Sequence, residues 1–344
     1  MKNPITVVGL DLAKSVFQIH GIDAEGEIVC RRKLSRSRVL AYFTKLEPCL
    51  VGMEACATAH HWALEISALG HEVKLMPPQY VKPYVKTQKN DMADAEAICE
   101  AVTRPTMRFV PIKSTDQQAF LVLHGVREQW VRMSTRIINS IRGHLAEFGI
   151  VGAKGRLGVD AIIVMLRSNT DHRIPELARQ CLMPLVDELK RVKREILETD
   201  RRIAKVHKSN ALSKRLETIP GVGPITATRV IAEVADPASF KSGRAFSAWV
   251  GLVPKQHSSG GRDRLGRITK TGNPALRRLL VAGAMSMIIR ARQLGFTRHP
   301  WLVRLLERKP TKVAAIAMAN KIARMIWALM MTEERFNPRK LMPA

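Results

Sequence analysis

Short apolar segments separated by turn residues dominate the first hundred residues of the chain. Residues 5–10, 16–22 and 27–34 are rich in β-branched side chains and predict three consecutive strands. Residues 50–55 and 71–76 have a similar texture and predict two more. The pattern therefore indicates five strands in this part of the chain.

Helical spacing of apolar residues fills the gaps between these strands. It predicts helices over residues 35–46, 60–69 and 90–102, the last with Asn90 as its N-cap. Three strands, a helix and then strand–helix–strand–helix is the element order of a ribonuclease-H-like, RuvC-like α/β fold. That fold is a mixed sheet with helices on its faces. The order alone also fits the actin-like ATPases, which share the sheet.

The middle of the chain is predicted to be helical. Residues 114–149 and 182–207 form long helical segments, broken near 152–158 and 168–173. A stripe at three-to-four spacing runs along the second segment: Leu182, Leu185, Leu189, Val192, Ile196, Thr199 and Ile203. The stripe predicts either a coiled-coil arm that joins two copies of the chain or a helix packed on its own domain.

The last third combines turns, one loop and closing helices. Residues 219–224, followed by an apolar helix, resemble a helix–hairpin–helix turn. A helix is also predicted before residue 251, a glycine-rich loop over 255–273, and amphipathic helices over 274–293 and 312–331. We predict three regions: a catalytic α/β domain over 1–110, a helical linker and dimerisation region over 111–210, and a mostly helical domain over 211–344.

Charge is distributed unevenly over these regions. The 344 residues carry a formal net charge of +26. Residues 1–110 hold 14 basic and 12 acidic side chains, whereas residues 211–344 hold 24 and 7, a net charge of +17. A near-neutral domain joined to a strongly basic one is typical of a catalytic module attached to a nucleic-acid grip. A basic, solvated surface is the simpler alternative.

Other features of the composition indicate a cytoplasmic protein. The mean hydropathy is −0.07, no uninterrupted apolar run reaches the length of a membrane helix, and residues 1–15 lack a signal-peptide pattern. The five cysteines include no Cys-x-x-Cys pair, so reduced thiols are expected. No membrane partner is predicted.

Four acids stand at positions that favour metal chemistry. Asp11 and Glu54 end two predicted strands, and Asp91 and Asp94 lie three apart at the start of a predicted helix, on one face. A carboxylate at the end of a buried strand is costly unless it is paired or bound to metal. Together they could hold one or two Mg²⁺ ions, with Mn²⁺ as a substitute, for displacement at a phosphodiester.

A second group of residues concerns DNA contact and a nucleophile. Ser258 and Ser259 lie in the glycine-rich basic loop, where arginines could stabilise the transition state of an attack on phosphate. Glycine-rich loops are also common as plain linkers. The predicted nucleic-acid contacts are the two turn glycines and seven basic side chains: Gly221, Gly223, Lys255, Arg262, Arg264, Arg267, Lys270, Arg277 and Arg278.

Taken in order, several motifs resemble the DEDD-type transposases of bacterial insertion sequences, the insertion-sequence 110/1111 family. They are Gly9-Leu-Asp-Leu-Ala-Lys14, Met53-Glu-Ala-Cys56, Lys89-Asn-Asp-Met-Ala-Asp-Ala95, Ile219-Pro-Gly-Val-Gly223, Phe246-Ser-Ala-Trp-Val-Gly-Leu-Val-Pro254 and Lys270-Thr-Gly-Asn-Pro-Ala-Leu-Arg-Arg278. The set covers nearly the whole chain.

The resemblance implies a mechanism and partners. Asp11, Glu54, Asp91 and Asp94 would be the metal-binding tetrad, and Ser259, or its neighbour Ser258, would be the serine nucleophile. The implied activity is excision and integration of an element, acting on element ends or junctions and target DNA. A structured non-coding guide RNA, a homodimer or tetramer and a place at the bacterial nucleoid are implied as well.

Three other functions remain open on the residues alone. A RuvC-like structure-specific nuclease would use metal-activated water and no serine. A non-catalytic nucleic-acid-binding protein would keep the acidic pocket without cutting. An actin-like ATPase would need a second glycine-rich phosphate loop, and the sequence shows none, while the basic final third would stay unexplained.

Overall fold

The computed structural model describes residues 3–86, 90–153, 155–169, 171–257, 264–294 and 300–337. Its contacts divide the chain into two compact units, Met1–Gln117 with Val234–Ser239, and Gln118–Glu233 with Phe240–Ala344. The second unit joins the predicted middle and C-terminal regions, because the long central helix packs on the helices that follow it. The predicted division at residue 210 stays a prediction.

The first unit is built on a mixed five-stranded sheet. Its strands are β1 (Val7–Asp11), β2 (Val16–Ile22), β3 (Ile28–Ser35), β4 (Leu50–Glu54) and β5 (Glu72–Met76). They lie in the order β3-β2-β1-β4-β5. The first three are antiparallel, and β1, β4 and β5 are parallel. The predicted strands are therefore present, with β2 at the predicted bounds.

Helices cover both faces of this sheet. They are α1 (Val39–Phe43), α2 (Ala59–Ala68), α3 (Pro78–Val81) and α4 (Asp91–Val102). The predicted helix over 35–46 is instead a 3-10 turn, Arg36–Arg38, followed by the short α1. β3 continues to Ser35, which pairs with Val16 of β2, so the first residue of the predicted helix belongs to the sheet instead.

Side-chain alternation assigns the strand residues to the two faces. Val8 and Leu10 of β1 pack with Trp62 of α2 in one core. Val7 and Leu50 instead pack against the cluster of apolar residues on α4. The odd positions of β1 and the even positions of β4 therefore face α4.

The second unit is mostly helical. Its helices are α5 (Thr115–Ala146, which begins in the first unit), α6 (Arg156–Ser168), α7 (Glu176–Ser209), α8 (Ala211–Glu217), α9 (Pro224–Glu233), α10 (Gly243–Val250), α11 (Pro274–Leu294), α12 (Pro300–Arg308) and α13 (Thr311–Met331). An antiparallel hairpin of β6 (Pro254–Gln256) and β7 (Leu265–Ile268) follows α10. The prediction of a loop over 255–273 is thus wrong in part, because β6 and β7 pair with each other within this stretch.

The stripe on α7 is buried within its own unit. Leu182, Leu189, Val192 and Ile203 are almost fully enclosed, and α7 packs on α6, α8 and α9. This packing supports the alternative of a helix that packs on its own domain. A coiled coil with a second copy stays a prediction.

One helix of the described residues, α13, is long and apolar enough to cross a membrane by length and composition. However, 56% of that stretch is buried inside the protein, and α13 packs on α8, α10, α11 and α12. It is therefore the central core helix of the second unit. All five cysteines are free thiols, as predicted.

Candidate acidic metal centre and nucleic-acid surface

The candidate centre begins with a close approach of a strand and a helix. A Cβ atom on Gly9 of β1 would lie 2.1 Å from the carbonyl oxygen of Ala95 and 2.7 Å from the Cβ atom of Cys99, both in α4. Gly52 on β4 likewise faces Val102, where a Cβ atom would come within 2.8 Å. Because neither strand residue has a side chain, α4 lies directly on the sheet.

The start of α4 is fixed by its cap. The side chain of Asn90 accepts a hydrogen bond from the backbone N–H of Ala93 at 2.8 Å, and the carbonyl of Asn90 accepts one from Asp94. This is the predicted N-cap. It sets Asp91 and Asp94 in the first helical turn, next to the end of β1.

Three carboxylates converge at this point. One oxygen from each of Asp11, Asp91 and Asp94 lies within 4.8 Å of the others. Partial burial, and beyond it the negative charges of Asp94 and then Asp91, raise the pKa of Asp11 to about 6. The backbone N–H of Leu12 partly offsets this rise.

Glu54 is the fourth predicted acid and is not a member of this group of three. It ends β4, which runs parallel to β1 with Met53 paired to Leu10. Its position alternates with Gly52, so it stands on the face of the sheet that α4 covers. Glu54 is thus one strand away from Asp11, at the same edge of the sheet.

The donor set suits a hard divalent cation. Mg²⁺ and Mn²⁺ bind carboxylate oxygens and keep several waters, so three acids from a strand end and a helix start leave room for a substrate phosphate. Repulsion among the three carboxylates disfavours their full ionisation, and a bound cation would remove that cost. The residues present therefore fit the metal predicted from the sequence.

A network of charges next to the centre was not found from the sequence. Glu96, one half-turn after Asp94, contacts Lys86 at 3.0 Å and Arg31 of β3 at 3.5 Å. The Lys86 ammonium lowers the pKa of Glu96. Nothing in the local sequence links these three residues, which are up to 65 positions apart.

The serine loop lies partly outside the described residues. Ser258, Ser259 and Arg262 are among residues 258–263, whose structure is not described. The strands β6 and β7 flank this segment, and the predicted contacts Lys255, Arg264 and Arg267 are exposed on them or beside them. The hairpin therefore presents basic side chains on either side of the serines in sequence.

Two of the predicted DNA contacts make internal contacts. Arg277 donates hydrogen bonds to the carbonyl oxygens of Val250 at 2.9 Å and Thr271 at 3.1 Å. Arg278 pairs with Glu128 of α5. Arg277 thereby holds the turn that contains Lys270, a non-glycine residue with a φ of 56°.

The two predicted turn glycines lie between α8 and α9. Gly221 has a φ of +84°, and a Cβ atom there would meet the Sδ atom of Met287 at 2.9 Å and the carbonyl oxygen of Gly283 at 3.1 Å, both on α11. Gly223 faces open space, and its carbonyl accepts the N–H of Ala227. Gly221 thus has a packing role, and only Gly223 leaves the start of α9 open.

Comparison with known proteins shows the family to which these residues belong. A family model described as "Transposase", of the DEDD type, matches residues 8–150, which hold all four acids. A second model, "Transposase IS116/IS110/IS902 family", matches residues 213–299, which hold the turn glycines and the serines. The chain belongs to the IS110 family of insertion-sequence transposases.

Relatives in bacteria support the same assignment. A putative transposase of Sinorhizobium fredii is 47% identical over 331 residues, covering 96% of this chain and 85% of that protein. The transposase of element IS1111A from Coxiella burnetii is 38% identical over 96% of this chain and 91% of its own length. A pilin gene-inverting protein of Moraxella bovis is 22% identical over 81% of this chain and 78% of its own.

Family membership gives the fold and the site their meaning. The five-stranded sheet and α4 lie within the matched residues 8–150, so the N-terminal α/β region belongs to the RuvC-like DEDD domain of an IS110 transposase, and the protein is a DNA transposase that binds DNA. A DEDD domain of this kind indicates use of a divalent metal, in agreement with the convergence of Asp11, Asp91 and Asp94. The actin-like ATPase reading is thereby set aside.

Proposed function

We propose that this IS110 transposase excises and integrates its insertion sequence by Mg²⁺-dependent cleavage and exchange of DNA strands, with a serine as nucleophile. The observation that carries the proposal is the meeting of Asp11, Asp91 and Asp94 within 4.8 Å at the edge of the sheet. Glu54, at the end of the neighbouring strand, is the fourth ligand. Mn²⁺ can replace Mg²⁺ in such an oxygen-ligand site.

In this proposal the acids have defined roles. Asp11, Asp91, Asp94 and Glu54 hold the cation, which would neutralise charge that develops on the phosphate oxygens. The short contact of α4 with β1 at Gly9 fixes the geometry of the ligands before DNA arrives. The raised pKa of Asp11 indicates that ionising all three carboxylates is unfavourable in the metal-free site, and a bound cation would remove this cost.

The serine supplies the covalent step. The Oγ atom of Ser259 attacks phosphorus and forms an Oγ–P bond, while the bond from phosphorus to a deoxyribose oxygen breaks and that oxygen takes up a proton. The serine proton passes to solvent. A deoxyribose hydroxyl of a second strand then attacks the same phosphorus and gives up its proton to solvent. The Oγ–P bond breaks and Oγ takes up a proton, so Ser259 and the phosphodiester are re-formed without an external energy source. Ser258 is the alternative nucleophile.

The basic part of the chain is proposed to hold the nucleic acids. Its partners would be the element ends or junction, the target DNA and an element-encoded guide RNA, bound by a dimer or tetramer. The net charge of +17 on residues 211–344 supports a large polyanionic partner. If about eight phosphates are neutralised, the logarithm of the affinity should fall with the logarithm of the salt concentration with a slope near −7.

A RuvC-like nuclease acting through metal-activated water is the second candidate. It is supported by the three-acid cluster itself, because Asp11, Asp91 and Asp94 could hold a metal ion that activates water without a serine. The name of the Moraxella bovis relative, a gene-inverting protein, instead favours strand exchange. A non-catalytic binding protein would show no Mg²⁺-dependent cutting at all.

The test is strand exchange in vitro with purified protein, labelled junction and target DNA, the RNA transcribed from the element's end, and Mg²⁺. We expect Asp94→Asn to abolish exchange and Glu47→Gln, an exposed acid of the same unit, to retain it. Exchange that survives in Asp94→Asn would refute the metal role of the cluster. Exchange that proceeds equally without the RNA would remove the guide from the proposal.

A further inference from the structure

The second unit contains a large groove that none of the predicted functions explains. It has a volume of about 1440 Å³ and is bounded by the β6–β7 hairpin, the start of α10, Trp301 of α12 and one side of α13. The side chain of Asn320 donates a hydrogen bond to the carbonyl of Leu252 at 3.2 Å and ties α13 to the segment before the hairpin. The hairpin wall and the α13 wall of the groove are therefore linked by this hydrogen bond.

The groove is strongly basic. Six cationic side chains line it and come from three separate stretches of the chain, namely α10, β7 with the turn after it, and α13: Arg244, Arg267, Lys270, Lys312, Lys321 and Arg324. No acidic side chain among the described residues lines it. In the same unit but outside the groove, Arg229 and Arg278 are paired with glutamates. The described lining of the groove thus carries positive charges and no carboxylate that would neutralise them.

Between these cations the floor is aromatic and apolar. Trp301 and Trp327 line it together with Val313 and Ile316. The Nζ atom of Lys321 lies 4.7 Å from the centre of the Trp301 ring. Partial burial, and to a smaller extent the charge of Arg324, lower the pKa of Lys321. A phosphate beside Lys321 would offset these effects, because its negative charge favours the charged ammonium.

We propose that this groove binds an unpaired segment of DNA, with phosphates on its lysines and arginines and bases against Trp301 and Trp327. Duplex DNA presents mainly phosphates and sugars to a protein, so an aromatic floor would gain little from it, whereas an unpaired base has a free face to stack. The assignment to DNA rests on the proposed strand exchange, in which strands separate from their partners.

The lining also favours DNA over RNA. Recognition of RNA commonly uses polar partners for the 2′-hydroxyl groups. Among the described lining residues the uncharged polar side chains are Ser242 and Asn320, and the amide of Asn320 is already bonded to Leu252. The groove thus offers cations and apolar surface but few uncharged polar groups that could bind a 2′-hydroxyl.

The hairpin that forms one wall of the groove also flanks the segment with Ser258 and Ser259. Pro254 of β6 and Gly266, Arg267 and Ile268 of β7 line the groove, and the serines lie between these two strands in the sequence. An unpaired strand in the groove would therefore bind to the same hairpin that carries the proposed nucleophile.

The test is fluorescence anisotropy with the full-length protein and labelled oligo(dT), oligo(U) and duplex DNA of equal length. We expect Trp301→Ala to weaken oligo(dT) binding about tenfold, as expected for the loss of one base–aromatic stack, and Trp301→Phe to restore most of it. Lys321→Gln should lower the salt slope for oligo(dT) by about 0.7, the contribution of one phosphate contact. Duplex binding should change less than twofold.

The matched charge control is Lys190→Gln, which removes an exposed lysine from α7 in the same unit, outside the groove. It should leave oligo(dT) binding unchanged. Unchanged oligo(dT) binding in both Trp301→Ala and Lys321→Gln would overturn the proposal. So would an equal loss of duplex binding, or a loss confined to oligo(U), which would assign the groove to RNA.

Photo-crosslinking gives an independent readout. Oligo(dT) that carries 5-iododeoxyuridine should crosslink to peptides containing Trp301 or Trp327, and crosslinks confined to other peptides would contradict the assignment. Neither readout needs cleavage. If the groove binds unpaired DNA while the double variant Ser258→Ala/Ser259→Ala remains active, the serine mechanism alone is refuted. If the double variant is inactive and the groove does not bind unpaired DNA, the groove proposal alone is refuted.

Discussion

Gly9 of β1 and Cys99 of α4 approach so closely that a methyl group on Gly9 would lie 2.7 Å from the Cβ atom of Cys99. This contact brings the first turn of α4 down onto the strand that ends at Asp11. Asp91 and Asp94 can reach Asp11 because no side chain separates the two elements at Gly9. The acidic cluster thus depends on a glycine two residues before its first ligand.

Replacing that glycine should disrupt both packing and metal binding. The nearest atom to a Cβ on Gly9 is the backbone oxygen of Ala95, which cannot move without moving α4. We expect Gly9→Ala to lower the free energy of unfolding by about 3 kcal/mol, the upper part of the range for overpacked cores, as measured by urea denaturation. The Mg²⁺-induced rise in melting temperature should disappear as well.

Gly125→Ala is the control for this substitution. Gly125 lies within α5, where a Cβ atom would meet nothing within 4 Å. Alanine in a helix interior should raise stability by about 0.5–1 kcal/mol. A Gly9→Ala protein with unchanged stability and an unchanged response to Mg²⁺ would show that the contact is not needed.

The three acids of the cluster should lower the stability of the metal-free protein and raise it when a divalent cation binds. Without divalent cations, Asp94→Asn should melt a few degrees above the wild type, because it removes one of the two charges that help to raise the pKa of Asp11. With Mg²⁺ at about 100 times its Kd, the wild type should gain about 2.7 kcal/mol and Asp94→Asn should not.

Differential scanning fluorimetry at pH 8, with and without Mg²⁺ or Mn²⁺, measures both effects. Glu47→Gln serves as the control because Glu47 is an exposed acid of the same unit. If Asp94→Asn melted at a lower temperature than the wild type in the absence of metal, the charge of Asp94 would not destabilise the metal-free protein.

His124 should make the stability of the second unit depend on pH. It is 5% exposed, and its Nε2 atom lies 3.1 Å from the hydroxyl of Thr228, which donates to the carbonyl of Pro224. The hydroxyl oxygen must therefore accept a hydrogen bond from the Nε2–H group of a neutral His124. Burial, followed by the charges of Arg229 and Arg127, lowers the pKa of His124 to about 4.

The sign of the effect follows from this lowered pKa. Between pH 6.5 and 4 the unfolded chain binds a proton at this position that the folded chain does not. The stabilisation is complete above pH 6.5, and about 3 kcal/mol is lost as the pH falls towards 4. Urea titrations across this range should show the loss.

His124→Gln should flatten this profile, since the amide can still donate to Thr228 but does not titrate. His144→Gln removes an exposed histidine from the same helix and should leave the profile as in the wild type. An equal slope in wild type and His124→Gln would assign the pH dependence to other groups.

The two glycines between α8 and α9 should respond differently to alanine. Gly221→Ala places a side chain at a φ of +84° and against Met287, so we expect a loss of about 2 kcal/mol or more of unfolding free energy. Gly223→Ala should fold normally because the space around Gly223 is open.

Gly223 therefore separates packing from phosphate contact. If a DNA phosphate binds the N–H groups at the start of α9, a Cβ on Gly223 stands in its way, and duplex affinity should fall several-fold. Anisotropy with labelled duplex DNA measures this. A Gly223→Ala protein with wild-type affinity would leave the turn with a structural role only.

Much of the first unit could be predicted from local sequence. The bounds of β2 and the Asn90 cap follow from side chains adjacent in the chain, so periodicity and capping rules are sufficient. The acids could be predicted as well, since Asp91 and Asp94 occupy the same turn. Their approach to Asp11 depends on Gly9 and Cys99, which are 90 positions apart, and no local pattern records that contact.

The second unit was harder to predict for the same reason. The strands β6 and β7 have three and four residues, and backbone pairing across the serine segment holds them in a stretch with the composition of a loop. The basic groove combines cations from positions 244 to 324 that become neighbours only when α10, the hairpin and α13 pack together. The stripe on α7 fits both a coiled-coil arm and a helix packed on its own domain. It is buried within its own unit because α8 and α9 pack against α7, and the local sequence does not show these contacts.

The most direct test of the account is a search for a covalent protein–DNA adduct on a denaturing gel. The reaction contains the purified transposase, its element-end RNA, labelled junction DNA and Mg²⁺, with Ser259→Ala, Ser258→Ala and Asp94→Asn alongside. The account predicts an adduct in the wild type and in Ser258→Ala, and none in Ser259→Ala or Asp94→Asn. Mg²⁺-dependent cleavage without an adduct in any of these proteins would contradict it and favour hydrolysis by metal-activated water.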